Sequence, residues 1–164
     1  HLVRVLDALG ERIEPSAAAG FSGPAMLTGT TAGQAWLPAI GRHEVLVADA
    51  GTWAETGRIP VKGQPVFVMA RPDGRQVWVN FAFPDNEWVQ VIDTVEKRVV
   101  HTFSPGKAVL HMEFEPRGEE VWLSSRDSNR VSVINTTTFA TRSELPADAP
   151  SGIFFTARGQ RIGF

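Results

Sequence analysis

A few side chains in this 164-residue chain have the types and spacings to do chemistry. His111 and Glu113 lie two positions apart in the apolar stretch Val109-Leu110-His111-Met112-Glu113-Phe114. If that stretch is a strand, alternation turns both toward one face. A His beside a carboxylate can exchange protons, and an imidazole nitrogen can also ligate iron. The plainer alternative is a hydrogen-bonded pair packed against a neighbouring sheet. Arg126, in Ser125-Arg126-Asp127-Ser128-Asn129-Arg130, offers a guanidinium fork to a carboxylate, although pairing with its own Asp127 is the commoner fate. Phe81 and Phe83 offer flat apolar faces, and Asn80 beside them is a third binding candidate. Two phenylalanines packed beneath their own sheet would need no ligand.

A repeat positions these residues. An apolar run at 66–70 meets a Pro72-Asp73-Gly74 turn, a second run centres on Trp78, and Val89 and Val91 alternate toward Asp93. Pro presets the turn dihedral and Gly accepts the positive φ of a tight hairpin, so the runs read as antiparallel strands. Gly74-Arg75-Gln76-Val77-Trp78-Val79 recurs 44 residues on as Gly118-Glu119-Glu120-Val121-Trp122-Leu123. Trp36, in Gly33-Gln34-Ala35-Trp36-Leu37, precedes Trp78 by 42. The alternating strand occurs four times, at 3–7, 45–49, 89–93 and 131–135. Several strands per copy at such a period mark β-propeller blades.

The expected fold is therefore all-β, a propeller of four-stranded blades with about four repeats in this chain. Residues 2–7 and 12–13 supply two outer strands, and 15–20 a connection. Whole blades follow at 25–28, 34–37, 45–49 and 58–59, then at 66–70, 76–80, 89–93 and 98–103. The last whole blade takes 109–114, 120–124, 131–135 and 141–145, and inner strands at 153–156 and 161–162 begin another. Residues 1–164 thus read as one partial propeller, with no helical period. Trp36, Trp78 and Trp122 are expected between blades, where burying each stabilises by about 2–3 kcal/mol. Asp49, Asp93 and Asn135 end the third strands as caps to the following turns. His43 and His101 carry no assigned role, and Arg71 belongs to the hairpin end opposite the loops of interest.

Composition narrows the function. A net charge of −2 provides no basic field for a nucleic acid. No run of 18 apolar residues offers a membrane-spanning helix. The chain begins at His1, so the lack of a leader says nothing about compartment. Cysteine is absent, which rules out disulfides, a thiolate nucleophile and a C-x-x-C-H haem attachment within these residues. No P-loop, dinucleotide fingerprint, H-E-x-x-H or G-x-S-x-G motif occurs.

Three stretches carry a resemblance. One runs from Gly63-Gln64-Pro65-Val66-Phe67-Val68 to Phe81-Ala82-Phe83-Pro84-Asp85-Asn86, the second is Pro105-Gly106-Lys107-Ala108 with the His111 stretch that follows. The third is Ala149-Pro150-Ser151-Gly152-Ile153-Phe154-Phe155-Thr156-Ala157-Arg158. They resemble the haem d1 biosynthesis protein F (NirF) family, which is similar to the d1 domain of cytochrome cd1 nitrite reductase. The likeness is dense from about residue 60 onward.

The resemblance implies an eight-bladed propeller with haem d1 or a precursor on its axis, this chain being the C-terminal half. It implies a periplasmic role in nitrite reductase maturation and denitrification, with other haem d1 maturation proteins and nitrite reductase as partners. A complementary half or a second copy would close the ring. The loops at 38–44, 81–87 and 125–130 would gather at one face, with aromatics for a macrocycle and cations for its acid side chains. On that view His111 is the iron ligand or, with Glu113, an acid/base pair. Arg126 clamps a carboxylate, and Phe81, Phe83 and Asn80 line the ring. Whether the ring is transformed or only held stays open. The missing c-type haem motif disfavours nitrite reduction, and an inert propeller serving as a protein-interaction scaffold is the alternative of another class.

Overall fold

The computed structural model describes residues 33–155, together with two short strands ahead of them. Those two, β1 (Val5–Leu6) and β2 (Arg12–Ile13), pair antiparallel. A three-stranded sheet follows: β3 (Gln34–Ala39), β4 (Glu44–Asp49) and β5 (Glu55–Pro60). The next sheet has four strands, β6 (Pro65–Ala70), β7 (Gln76–Phe81), β8 (Val89–Asp93) and β9 (Arg98–Phe103). So does the last, β10 (Val109–Phe114), β11 (Glu120–Ser125), β12 (Arg130–Asn135) and β13 (Thr141–Pro146). Each sheet is an antiparallel meander in chain order, and among the described residues a single 3-10 turn, Arg126–Ser128, interrupts the strands. The strands expected at 25–28 and 161–162 and the connection at 15–20 lie outside the described residues.

The expected inner strand at 153–156 needs correction, because its described part, 153–155, is not strand. Here the main chain bonds to side chains instead of a ladder. Ser151 O accepts from Ser124 Oγ at 2.6 Å, and Ile153 N donates to His111 Nδ1 at 3.3 Å. The apolar run that suggested a strand packs by its rings, Phe154 on His111 and Phe155 edge-on to Trp122.

Sheets stack face to face through two cores. Trp36, Val45 and Val47 of the first sheet meet Val68, Val77, Val79 and Ile92 of the second. The second sheet's other face places Met69, Trp78, Val89 and Val91 against Met112, Phe114, Val121, Leu123 and Ile134. Successive strand residues serve opposite cores, which explains why these strands are apolar on both sides. Trp36 and Trp78 are 1% and 0% exposed, and Trp78 takes the edges of Phe103 and Phe114 at 5.7 and 5.8 Å. Trp122, expected in the same role, is only half-buried, because no further sheet among the described residues covers it.

Turns follow the expected chemistry. Asp49 Oδ1 accepts from Gly51 N and Thr52 N, Asp93 Oδ1 from Val95 N and Glu96 N, and Asn135 Oδ1 from Thr137 N and Thr138 N. Gly118, at φ +77°, brings one hairpin so near the previous one that a β-carbon would lie 2.8 Å from Pro72 Cδ.

The inner strands hold an irregularity the repeat does not advertise. β6 bulges between Pro65 and Val68, and β10 between Val109 and His111. A bulge leaves backbone groups outside the ladder, and a buried N–H must find another acceptor. Phe67 N donates to Asn80 Oδ1 at 2.9 Å, and His111 N donates to Ser124 Oγ at 3.0 Å. The same side chains reach onward: Asn80 Nδ2 donates to Val109 O at 2.8 Å, as Ser124 Oγ does to Ser151 O. Asn80 and Ser124 stand 44 apart, at one repeat position. One side chain therefore repairs its own bulge and ties it to the next segment.

Asn80 is 1% exposed, so Asn80→Ala strands the half-buried Phe67 N–H and the buried Val109 carbonyl. The expected cost is about 2–4 kcal/mol, read as a lower urea midpoint, with Asn80→Ser recovering part of it. Equal midpoints for Asn80→Ala and the parent would show that the tie adds no stability.

Candidate functional site

In a four-stranded meander the loop after the second strand and the link to the next sheet leave from the same end. That end collects 40–43, 61–64, 82–88, 104–108 and 126–129, and hydrogen bonds knit it together. Val109 N donates to Asn86 O at 2.7 Å, Arg126 N to Ala108 O at 2.9 Å, and Lys107 N to Ser128 Oγ at 2.8 Å. Arg130 caps Pro105 O with Nη2 at 2.6 Å, and Ala149 N donates to Asn129 Oδ1 at 3.0 Å. Loops braced in this way hold their side chains in fixed positions.

On this end Phe83 stands 84% exposed. Arg126 is also exposed. Its Nε lies 4.0 Å from Asp127 Oδ1, an open pair that leaves the guanidinium in solvent. Lys107 is exposed on the neighbouring link, and Lys62 lies 4.8 Å over the Trp88 ring, a cation–π contact.

His111 is the third residue of β10 counted from this end, and is half-buried. Met112 packs toward the preceding sheet, so His111 and Glu113 share the opposite face, beside 151–155. Phe67 meets the imidazole edge-on at 5.6 Å and Phe154 lies 5.1 Å from it. Nδ1 accepts the Ile153 N–H. Glu113 lies deeper, 1% exposed and opposite Trp122 in register.

Two expected site residues belong elsewhere. β7 runs through Phe81, one residue beyond its expected end, so Phe81 alternates inward and is 2% exposed in the core with Trp36 and Val79. No face of its ring remains for a macrocycle. Asn80 spends its amide oxygen and nitrogen on Phe67 N and Val109 O, and is a structural tie. The six candidates therefore separate: Phe83 and Arg126 on the loop end, His111 and Glu113 on the far face of the last sheet, Phe81 and Asn80 in the core. Sequence reasoning missed Phe67 as a neighbour of His111. Phe67 precedes His111 by 44 residues, the same spacing as Trp78 and Trp122.

Displaced carboxylates sit away from the loop end. At the opposite hairpins the Asp73 carboxyl is held below its ordinary value, first by its hydrogen bond with Arg71. Arg71 also reaches Thr136 Oγ1 in the next sheet, at 3.5 Å. A depressed carboxyl stabilises above its unfolded pKa and loses that contribution as pH falls through the folded value. Burial works against the Glu115 carboxylate, but the N–H groups of Arg117 and Glu119 outweigh it and lower its pKa. Both are turn clamps. Among the described residues no group of three or more His, Asp or Glu side chains gathers to hold a metal ion.

Residues 2–159 match the family model of the cytochrome D1 heme domain. Protein NirF of Pseudomonas aeruginosa is 55% identical over 130 residues, 79% of this chain and 33% of that protein. The chain thus spans about a third of the length of the curated relatives it matches across most of its own length. A local match to a protein named probable D-serine dehydratase, from Paracidovorax citrulli, is 78% identical over 41 residues, 25% of this chain and 9% of that protein. Among solved structures, dihydro-heme d1 dehydrogenase NirN in complex with DHE superposes with a TM-score of 0.69. It covers 94% of this chain and 34% of that one at 23% identity, a likeness of fold. The chain belongs to the cytochrome D1 heme domain family, on the side of the NirF proteins.

Proposed function

We propose that this chain is part of a haem d1 biosynthesis protein that seats a tetrapyrrole, a late haem d1 precursor, at the loop end of a propeller axis. The observation that carries this is the cytochrome D1 heme domain match across residues 2–159. The loop end supports it with an exposed ring at Phe83 and an exposed fork at Arg126. A tetrapyrrole offers a flat apolar face and several acid side chains, and these are the groups such residues complement. In this reading Arg126 orients a ring carboxylate, Phe83 lies against the macrocycle, and His111 with Glu113 stands where a proton would move. The setting we propose, on the resemblance, is the periplasm.

Titration with haem d1, or with a siroheme-derived precursor, is expected to shift the Soret band. Arg126→Ala should weaken binding roughly tenfold, the scale of one lost charge-assisted hydrogen bond. An unshifted Soret band with every tetrapyrrole tried would favour the interaction scaffold.

We also propose that further blades complete the ring against the last sheet. Its open face holds a shallow cavity of about 520 Å³ lined by Glu120, Trp122, Val133, Arg142, Ser143 and Leu145. The equivalent face of the preceding sheet, with Trp78 and Val91, is fully covered. Light scattering on this chain alone should therefore show self-association or demand for a complementing half. A stable monomer that binds tetrapyrrole would overturn this.

A further inference from the structure

We infer that the sheet stacking on the open face of the last one meets Glu120 with a cation, a lysine or arginine side chain at the turn after its third strand. The inference rests on the ring-completion proposal above and names the chemistry of that partner at one point. Its basis is a reversal of polarity between two copies of one hairpin. Arg71-Pro72-Asp73-Gly74-Arg75-Gln76 leads into β7, and Glu115-Pro116-Arg117-Gly118-Glu119-Glu120 leads into β11, 44 residues on. Glu115 stands where Arg71 does, Arg117 where Asp73 does, and Glu119 and Glu120 where Arg75 and Gln76 do.

The covered interface shows what these positions are for. Gln76 Nε2 donates to Thr136 O at 3.1 Å, and Arg71 Nη1 to Thr136 Oγ1 at 3.5 Å, both from one sheet to the next. Thr136 follows β12, is 0% exposed, and accepts both bonds. The earlier sheet gives protons and the later one receives them. The last sheet cannot repeat this toward a successor, because carboxylates accept and do not donate. A second Thr136-type turn set against Glu120 would bring oxygen against oxygen.

Charge points the same way. Burial works against the Glu115 carboxylate, yet the amides of Arg117 and Glu119 hold its pKa low and keep it ionised. Arg142 Nη1 lies 3.2 Å from Glu120 Oε1, and Arg117 Nη2 lies 3.9 Å from Glu119 Oε2. Two guanidiniums thus serve three carboxylates, and a sheet closing over this end must answer the remaining negative charge. Glu120 lines the open cavity with Trp122, at the repeat position where Gln76 accepts from Trp78 Nε1. It therefore faces the next sheet as Gln76 does. A cation there supplies donor and charge together.

The test uses the full-length protein to which the ring-completion proposal assigns this chain. Acrylamide quenching, with Trp122→Phe assigning the signal, reads whether the face is covered. A freely quenched Trp122 would overturn ring completion and the cation with it. The stability variants all carry Arg142→Ala, which removes the ion pair within the sheet. On that background Glu120→Gln should lower the urea midpoint, and Glu120→Lys should lower it further, by a loss that shrinks at high salt. An equal or higher midpoint for Glu120→Gln would overturn the inference and leave ring completion standing, since the amide would then have found an acceptor like Thr136 O. A dimer that Arg142→Glu dissolves, read by light scattering, would assign the face to a second copy and overturn the inference too.

Discussion

A backbone N–H displaced from its ladder sets much of this structure. Each four-stranded sheet bends its innermost strand with a bulge, and each bulge takes one amide out of register. Between stacked sheets that amide has lost its ladder partner and is half-buried, and a side chain takes the partner's place. The acceptor comes from the fifth residue of the second strand, Asn80 in one sheet and Ser124 in the next. Because the same group also bonds the segment that follows, the repair couples neighbouring repeats. Shape and cohesion then have a common source. The twist a bulge adds to an inner strand and the bond holding the next segment against it arise at one position.

This explains what could and could not be read from the amino-acid order. Trp36, Trp78 and Trp122 announce the period because a large ring at a fixed strand position is conspicuous, and the strand boundaries follow from the alternation around them. The bulges are silent, since Pro65–Val68 and Val109–His111 look like ordinary apolar runs. Asn80 therefore passed for a ligand residue when its amide was already committed. Phe81 misled for a related reason: one residue decides whether an aromatic ends a strand or opens a loop, and pattern alone does not fix strand ends to one residue. Trp122 shows the complementary limit. Its residue type fits a buried position, but burial depends on a neighbour that periodicity cannot supply.

The two ends of the sheets differ in where their polar groups are spent. At the hairpin end charges are consumed locally: Arg71 with Asp73, Glu115 with the amides of Arg117 and Glu119, Asp93 and Asn135 with their own turns. At the loop end the bracing holds the main chain, at Asn86, Pro105, Lys107 and Ala108, with help from the side chains of Ser128 and Arg130, and the side chains of Phe83 and Arg126 stay in solvent. Rigid backbone under uncommitted side chains is what a binding surface needs, because little ordering remains to be done when a ligand arrives. Exposure by itself would mean little. The contrast between the ends, in a molecule whose two ends are made from the same repeat, gives it weight.

The repeat also shows how a polar group can enter without a new framework. Phe67 and His111 occupy one position of successive inner strands, each next to a bulge and each with its N–H capped by the second strand. At the first copy the side chain is a phenyl ring and only packs. At the second it is an imidazole, with Nδ1 engaged by the Ile153 amide of the following segment. Nothing in the local backbone had to change for the polar group to appear. The phenyl ring even remains useful, since its edge supports the imidazole face. A repeated frame that fixes main chain and direction leaves residue type free to vary, so a polar side chain can appear in one copy while its siblings keep to packing.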